Sequence, residues 1–111
     1  MRLDLSKIRA AAKADRTEWR RHALLRASER GITFEQALKV ILEGEIIEEY
    51  LQAKPCPACL MMAEVEQGKP LYVSVAYDQE IDLLYIITVH WLDPRKWKDP
   101  WTRRPPRPKL G

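Results

Sequence analysis

The sequence contains few residues that could bind a metal ion or perform redox chemistry. Its 111 residues include two cysteines, Cys56 and Cys59 in CPAC, and two histidines. A zinc site needs four ligands at close spacing, whereas each histidine lies more than 30 residues from the cysteine pair. A thioredoxin-type pair opens a helix within a βαβ unit, which is not predicted here. We therefore expect two ordinary thiols and no cofactor, with zinc binding and a redox pair as the alternatives.

Long apolar runs are also missing. The longest, from Leu83 to Leu92, is interrupted by Thr88 and His90 and is shorter than the roughly 20 residues that cross a membrane. The chain does not open with a signal-peptide pattern. Since two cysteines and no export signal fit a reducing compartment, we expect a cytoplasmic protein with no membrane partner.

The charges are unevenly distributed along the chain. Residues 1–31 carry nine Lys or Arg against four acids, residues 32–92 carry three against ten, and residues 93–111 carry seven against two. Basic ends that meet in the fold would attract a phosphate backbone. The alternative is that they neutralise the acidic middle, either within one chain or between the subunits of a homodimer.

Two helices are predicted in the first 31 residues. Asp4 can cap a short helix that runs to about Ala14. Asp15 and Glu18 have the spacing of a capping box for a second helix, TEWRRHALLRASER, which would end at Gly31.

A third helix is predicted in FEQALKVILEG. Thr33 and Gln36 form its capping box, and Gly44 closes it. Apolar residues recur at i, i+3, i+4, i+7 and i+8, which is typical of a face that packs on a core. This predicted core face consists of Phe34, Ala37, Leu38, Ile41 and Leu42.

Strand-like alternation replaces the helical period after Gly44. Residues 45–50, 60–65, 71–77 and 83–91 are predicted as four strands. Short connections make them an antiparallel sheet that follows the N-terminal helices, so the predicted fold class is α+β.

The chain changes character again at Asp93. The segment DPRKWKDPWTRRPPRPKLG contains five prolines and seven basic residues, so we expect regular structure to fail there. Trp97 and Trp101 are expected to pin the first half of this tail to the body. The predicted organisation is an N-terminal helical extension (1–15), an α+β domain (16–98) and a basic proline-rich tail (99–111).

One face of the second predicted helix carries a stripe of functional side chains. His22, Arg26 and Arg30 lie at i, i+4 and i+8. Guanidinium groups hold phosphate with paired donors, and imidazole can transfer a proton near pH 7. The stripe therefore indicates a phosphate site, with a solvated face whose arginines pair with the acidic middle as the alternative.

A second candidate pair lies in the last predicted hairpin. If its turn is centred on Ile81, Tyr72 and His90 are direct cross-strand neighbours. They could form an acid–base couple, or they could be a packed structural contact. A slip of one residue in the register would separate them.

Several segments together resemble the bacterial and archaeal family called domain of unknown function 4258. They occur in the family's order: RHALLRASERGIT, GEIIEEY, P-x-x-CL, KPLYVSVAYD, IITV and DPRKW. The resemblance runs from about Trp19 to Arg104. This family is grouped with the RelE/ParE/BrnT toxin superfamily, so the resemblance implies a compact toxin-like α+β domain and an antitoxin partner.

The family pattern has His at the position of Tyr72 and Tyr at the position of His90. In this chain the two residue types have therefore exchanged places within one predicted cross-strand pair. Cys56 has no common counterpart in the family, which agrees with two ordinary thiols. The other matched positions are His22, Arg26, Arg30, Gly44, Glu48, Tyr50, Cys59, Thr88, Trp97 and Arg103.

Three functions are considered. RelE-like relatives cleave messenger RNA without a metal, which implies a ribonuclease that acts on RNA or at the ribosome. Its candidate catalytic residues are His22, Arg26, Arg30, Tyr72 and His90, and its candidate RNA-binding residues are Arg103 and Arg104. The alternative is a non-catalytic protein-interaction module or homodimer, in which the arginines pair with Glu45, Glu48 or Glu49. A ParE-like inhibitor of a protein target would need neither histidine.

Overall fold

The computed structural model describes residues 3–66 and 68–105. The helices in this part of the chain are α1 (Leu5–Lys13), α2 (Arg21–Arg30) and α3 (Phe34–Glu43). Asp4 caps α1, because its carboxylate accepts hydrogen bonds from the backbone N–H groups of Ser6 and Lys7. The predicted capping box of Thr33 and Gln36 is confirmed at the start of α3. Gly31 ends α2 with a left-handed φ of 66°, as expected for a glycine C-cap.

The predicted start of the second helix is wrong. Thr17–Trp19 forms a short strand, β1, that pairs in parallel with Leu84–Ile86. The backbone N–H of Arg20 donates to the carbonyl of Ile86 at 2.9 Å. Asp15 adopts a left-handed φ of 59° and begins no helix. Pairing with a distant strand satisfies the backbone of this segment, and it outweighs the local capping signal.

In the described part of the chain, the sheet has five strands and is mixed, so the prediction of four antiparallel strands is wrong, although the α+β class is confirmed. Its four longer strands are β2 (Glu45–Tyr50), β3 (Ala58–Glu66), β4 (Lys69–Asp78) and β5 (Leu83–Trp91). The strand order is β1-β5-β4-β3-β2, in which the β1–β5 pair is parallel and the other pairs are antiparallel.

The three helices cover one face of this sheet and form the main core with it. Ile8 of α1 is fully buried in the same cluster as residues of α2, α3 and the strands. The predicted core face of α3 is only partly correct: Ala37 and Ile41 are buried, whereas Phe34 is 59% exposed and Val40 is buried instead. Phe34 lies 4.9 Å from Trp19, measured between ring centroids, at the edge of the sheet. No helix in the described ranges has the length and apolar composition that crossing a membrane requires.

The opposite face of the sheet carries a second, smaller core. Leu60, Met62 and Tyr72 alternate with residues of the main core, so their side chains point the other way. They pack against Trp97, which belongs to a hairpin of β6 (Trp97–Asp99) and β7 (Thr102–Arg103).

This hairpin corrects the prediction that regular structure fails after Asp93. The burial of Trp97, at 2% exposure, confirms that this residue attaches the tail to the body. Trp101 is 56% exposed, and its indole N–H donates to the Glu45 carboxylate. The last part of the predicted tail, residues 106–111, lies outside the described residues.

Gly44 lies where α3 passes closely over β3. A Cβ atom at this position would sit 2.5 Å from the carbonyl oxygen of Val40 and 2.6 Å from that of Met62. Both obstacles are backbone atoms, which cannot rotate away. We expect Gly44→Ala to lower the free energy of unfolding by about 2 to 3 kcal/mol in urea titrations.

The matched control for this prediction is Gly31→Ala. Gly31 has a positive φ of 66°, but no atom lies within 4 Å of the added Cβ. Its expected loss of about 1 kcal/mol comes from backbone strain alone. Equal losses of unfolding free energy in the two variants would show that the backbone around Gly44 leaves room for a methyl group.

Candidate functional site

A cleft of about 530 Å³ lies between α2, the end of β5 and the segment that leads into the C-terminal hairpin. It brings together five of the seven residues predicted to form the site. These are His22, Arg26, Arg30, His90 and Arg103. Tyr72 and Arg104 do not line it.

The stripe on α2 faces this cleft. Arg26 forms an ion pair with Glu29 at 2.9 Å, within the same helix and not with the acidic middle of the chain. Arg30 donates from Nη1 to the carbonyl oxygen of Val89 at 2.8 Å. The Trp91 indole N–H in turn donates to the carbonyl of Arg30 at 3.0 Å. The C-terminal end of α2 is therefore attached directly to the end of β5.

This attachment depends on the shortness of β1. Because β1 pairs with Leu84–Ile86 alone, no strand among residues 3–66 and 68–105 neighbours the following part of β5 on that side. The carbonyl of Val89 lies on this open edge and accepts from Arg30 instead. The Arg30 side chain thus supplies the hydrogen bond that a neighbouring strand would supply, and this bond holds it in the cleft.

The predicted pairing of Tyr72 with His90 is confirmed. The two residues are cross-strand partners, and their rings stack with 5.0 Å between centroids and 10° between planes. The register is reached differently from the prediction. Asp78 pairs with Leu83, so the turn is centred between Glu80 and Ile81. A bulge that leaves Ile87 unpaired then restores the predicted alignment.

Four flat groups form a continuous stack behind the cleft. The guanidinium carbon of Arg103 lies 4.6 Å from the centroid of the Trp97 ring. Trp97 stacks on Tyr72 with 4.8 Å between ring centroids, and Tyr72 stacks on His90. The imidazole and the guanidinium are therefore the two ends of one packed column.

Tyr72 lies inside this column with its hydroxyl already bonded. The hydroxyl donates to the carbonyl oxygen of Pro100 at 2.7 Å. Burial, with a further contribution from the charge of Asp99, raises the pKa of Tyr72 to about 12. The phenol therefore keeps its proton at neutral pH and directs it towards the hairpin.

His90 is set up to remain neutral. Burial is the largest cause of a lowered pKa, and the positive charges of Arg30, Lys96 and Arg103 lower the pKa further. Nδ1 lies 3.3 Å from the carbonyl oxygen of Trp91, which opposes these effects by raising the pKa and favours the tautomer with its proton on Nδ1. Nε2 is then available to accept a proton.

Arg103 is fixed from two sides. Its guanidinium donates to both carboxylate oxygens of Glu48, at 2.9 and 3.1 Å, and it stacks on Trp97. These hydrogen bonds lower the pKa of Glu48. Arg104 instead donates from Nε to the carbonyl of Pro94 at 2.8 Å and supports the loop behind the cleft.

A known protein family matches part of the sequence that forms this cleft. The chain matches the family model described as a domain of unknown function (DUF4258) over residues 19–91, which is more than half of its length. The chain belongs to this family. No curated protein matches it.

The DUF4258 match confirms the family but ends earlier than the resemblance suggested. It covers α2 and β5, and with them His22, Arg26, Arg30 and His90. The segment DPRKW and Arg103 follow the matched region. In this DUF4258 protein, the opposite wall of the cleft is therefore built by residues beyond the family match.

Two cationic residues of that wall, Arg95 and Lys96, were not identified from the sequence. Arg95 pairs with Asp93 at 3.1 Å. Both cations belong to the DPRKW segment, so the segment itself was the available signal. A basic stretch in a proline-rich tail does not reveal which cleft it faces.

The two cysteines of the DUF4258 chain are separate buried thiols. Cys56 and Pro57 lie in a loop, and Ala58 and Cys59 are the first residues of β3. CPAC therefore does not open a helix, and its thiols receive no help from a helix dipole. Cys59 faces the main core, whereas Cys56 belongs to another cluster. Residues 3–66 and 68–105 contain no group of three or more His, Cys, Asp or Glu side chains suited to a metal ion.

The cysteines are expected to react slowly with thiol reagents. Burial raises the pKa of Cys59 to about 12, and it also raises the pKa of Cys56. At pH 8, Ellman's reagent should modify Cys59 about 10³-fold more slowly than a free thiol, because only the thiolate reacts. Addition of denaturant should release both thiols for rapid reaction. Fast labelling of the folded protein would instead revive the redox alternative.

Proposed function

We propose that this chain is a metal-independent endoribonuclease that acts on messenger RNA, as the toxin of a toxin–antitoxin pair. The supporting observation is that two imidazoles and the guanidinium groups of Arg30 and Arg103 line one open cleft. Cleavage without a metal needs a base, an acid and positive charge at the phosphate, and the cleft contains a candidate for each. The RelE/ParE/BrnT resemblance adds support by analogy of fold only.

In the proposed reaction, neutral His90 removes the proton of the ribose 2′-OH. The 2′-oxygen forms a bond to phosphorus, and the bond from phosphorus to the 5′-oxygen breaks. His22 gives a proton to this departing oxygen. The products are a 2′,3′-cyclic phosphate and a free 5′-hydroxyl, so protons and charges balance. Arg30 and Arg103 would stabilise the negative charge that develops on the phosphorane.

Tyr72 has no proton-transfer role in this scheme. Its hydroxyl bonds to Pro100 and its ring lies behind His90, so it would hold the imidazole in place. Arg26 would contribute charge at the mouth of the cleft. Arg104, which supports the loop beside Pro94, would bind RNA only through its long-range charge. An antitoxin would then act by covering the cleft.

One observation favours a non-catalytic interaction module or homodimer instead. Two of the candidate arginines, Arg26 and Arg103, already have carboxylate partners in Glu29 and Glu48. Such pairs would be expected if the charges serve the fold and a protein partner. Among the described residues, the Arg30 side chain has a carbonyl as its one partner and keeps further donors for a phosphate, so the ribonuclease remains our first proposal.

The test is a cell-free translation reaction with added protein, in which new messenger ends are mapped by primer extension. Wild type is compared with His22→Ala, Arg26→Ala and His90→Ala. New ends that disappear with His90→Ala and weaken with the other two would support the ribonuclease. Intact message and unimpaired translation at high protein concentration would support the interaction module.

A further inference from the structure

The geometry points to the part of the cleft between His90, Arg30 and Lys96 as a site for a single dianionic phosphoryl group. The chemical class is a phosphate monoester, such as the terminal phosphate of an RNA strand, or free phosphate. This inference rests on the proposed function in that it names the ligand of the same cleft. It concerns binding alone and can be measured without any cleavage.

The first argument is the charge of the cleft. Five cationic side chains line it, and three carboxylates pair with members of this group, which leaves a net charge of +2 when both histidines are neutral. Within residues 3–66 and 68–105, Arg30 and Lys96 have no carboxylate partner. The paired cations are Arg26 with Glu29, Arg95 with Asp93 and Arg103 with Glu48.

The second argument is the convergence of these charges. Arg30 and Lys96 come from α2 and from the loop after β5, and both line the cleft together with His90. Arg30 donates to the carbonyl of Val89, the residue before His90. Two cations that lack a carboxylate partner in the described ranges repel each other across the cleft, so a bound anion would relieve this repulsion.

The third argument is preorganisation. Arg30 is held by the carbonyl of Val89, to which it donates from Nη1. This contact occupies part of the guanidinium and leaves other N–H groups for a ligand. Fixed donors lose little conformational entropy on binding, so they favour a compact anion over a flexible chain.

A dianion fits this site better than the internal link of an RNA strand. A phosphodiester carries one negative charge and two terminal oxygens. A phosphate monoester has a second pKa near 6, so at pH 7.5 it is mostly a dianion with three terminal oxygens. With two cations that lack a carboxylate partner, the additional charge should strengthen binding by about tenfold or more.

The experiment is calorimetric titration of the full chain at pH 7.5 in low salt. The probes are inorganic phosphate, uridine 3′-monophosphate, and a uridine dinucleotide with a 2′-deoxy sugar at its only internal link and no terminal phosphate. We expect the monophosphate to bind at least about tenfold more tightly than the dinucleotide. Its binding should also shift the imidazole NMR signals of His90.

The probes also separate the two sources of a phosphoryl group. Tighter binding of uridine 3′-monophosphate than of inorganic phosphate supports an RNA terminus as the ligand, whereas equal binding supports free phosphate. Equal or tighter binding of the dinucleotide would overturn the inference, as would unchanged His90 signals. Phosphate binding without RNA cleavage would support the phosphoryl site and contradict the ribonuclease proposal. RNA cleavage without monophosphate binding would support the ribonuclease and contradict the phosphoryl site.

Two lysines of the same segment provide a matched pair of variants. Lys96 lines the cleft, whereas Lys98 lies two residues away in β6 and does not line it. Both residues are exposed, so neither substitution should disturb the fold. Lys96→Gln should weaken monophosphate binding about tenfold and Lys98→Gln less than about twofold. Equal effects would show that only the overall charge matters, and they would overturn the site.

Discussion

Replacement of His90 by Gln is expected to slow RNA cleavage by about 10² to 10⁴-fold, the contribution of a positioned general base. Gln has a similar size and polar atoms, but it cannot take the proton of the 2′-OH. Single-turnover cleavage of a labelled RNA, with enzyme in excess, measures this step directly. The melting temperature of the variant should stay close to that of wild type, which separates loss of chemistry from loss of fold.

The pH dependence gives the same prediction a second readout. Burial and three neighbouring cations lower the pKa of His90 below its ordinary value of 6.5. A base acts in its neutral form, so the rate should rise with pH through this lowered pKa, with the midpoint of the rise below pH 6.5. His90→Gln should lose this rising limb. A variant that keeps both the wild-type rate and the limb would exclude His90 as the base.

Replacement of Trp97 by Ala is expected to lower the free energy of unfolding by about 3 to 5 kcal/mol, the range for removal of a buried aromatic side chain. Trp97 is 2% exposed and lies between Tyr72 and Arg103 in the stack. Its loss removes the centre of the second core and one of the two supports of Arg103. Urea titration measures the change in stability, and the NMR signals of His90 report the disturbance of the stack.

Trp101→Ala is the matched control in the same hairpin. Trp101 is 56% exposed, and its indole is bonded only at the rim to Glu45. Its replacement should cost less than about 1 kcal/mol. A similar loss in both variants would mean that the hairpin is held by its backbone pairing, and the proposed support of Arg103 by Trp97 would then be wrong.

The stability and the proposed chemistry of this protein depend on the same hairpin. The family match supplies α2 and β5, but it ends at Trp91. Lys96, Trp97 and Arg103 follow it and complete both the stack and the cationic wall. The folding of this segment onto the sheet is therefore expected to control the affinity of the cleft for anions.

Several features could be predicted because their causes are local. The capping box of Thr33 and Gln36 starts α3, and the alternation of EIIEEY gives β2 with the predicted bounds, Glu45–Tyr50. The helical spacing of His22, Arg26 and Arg30 places them on one side of α2, where all three reach the cleft. Each of these signals lies within a few residues of the structure it specifies.

Other features depend on partners that are distant in the chain. Thr17–Trp19 becomes a strand only because Leu84–Ile86 offers it an edge, and the Tyr72–His90 pair is aligned by a bulge at Ile87 that the sequence does not signal. Lys96 and Arg103 enter the cleft because Trp97 is buried on the second face of the sheet. The sequence by itself determined α1, α3, the four longer strands and one face of α2. The tertiary structure decided which of the other charged groups meet at His90, because that depends on packing energies summed over distant residues and not on local propensity.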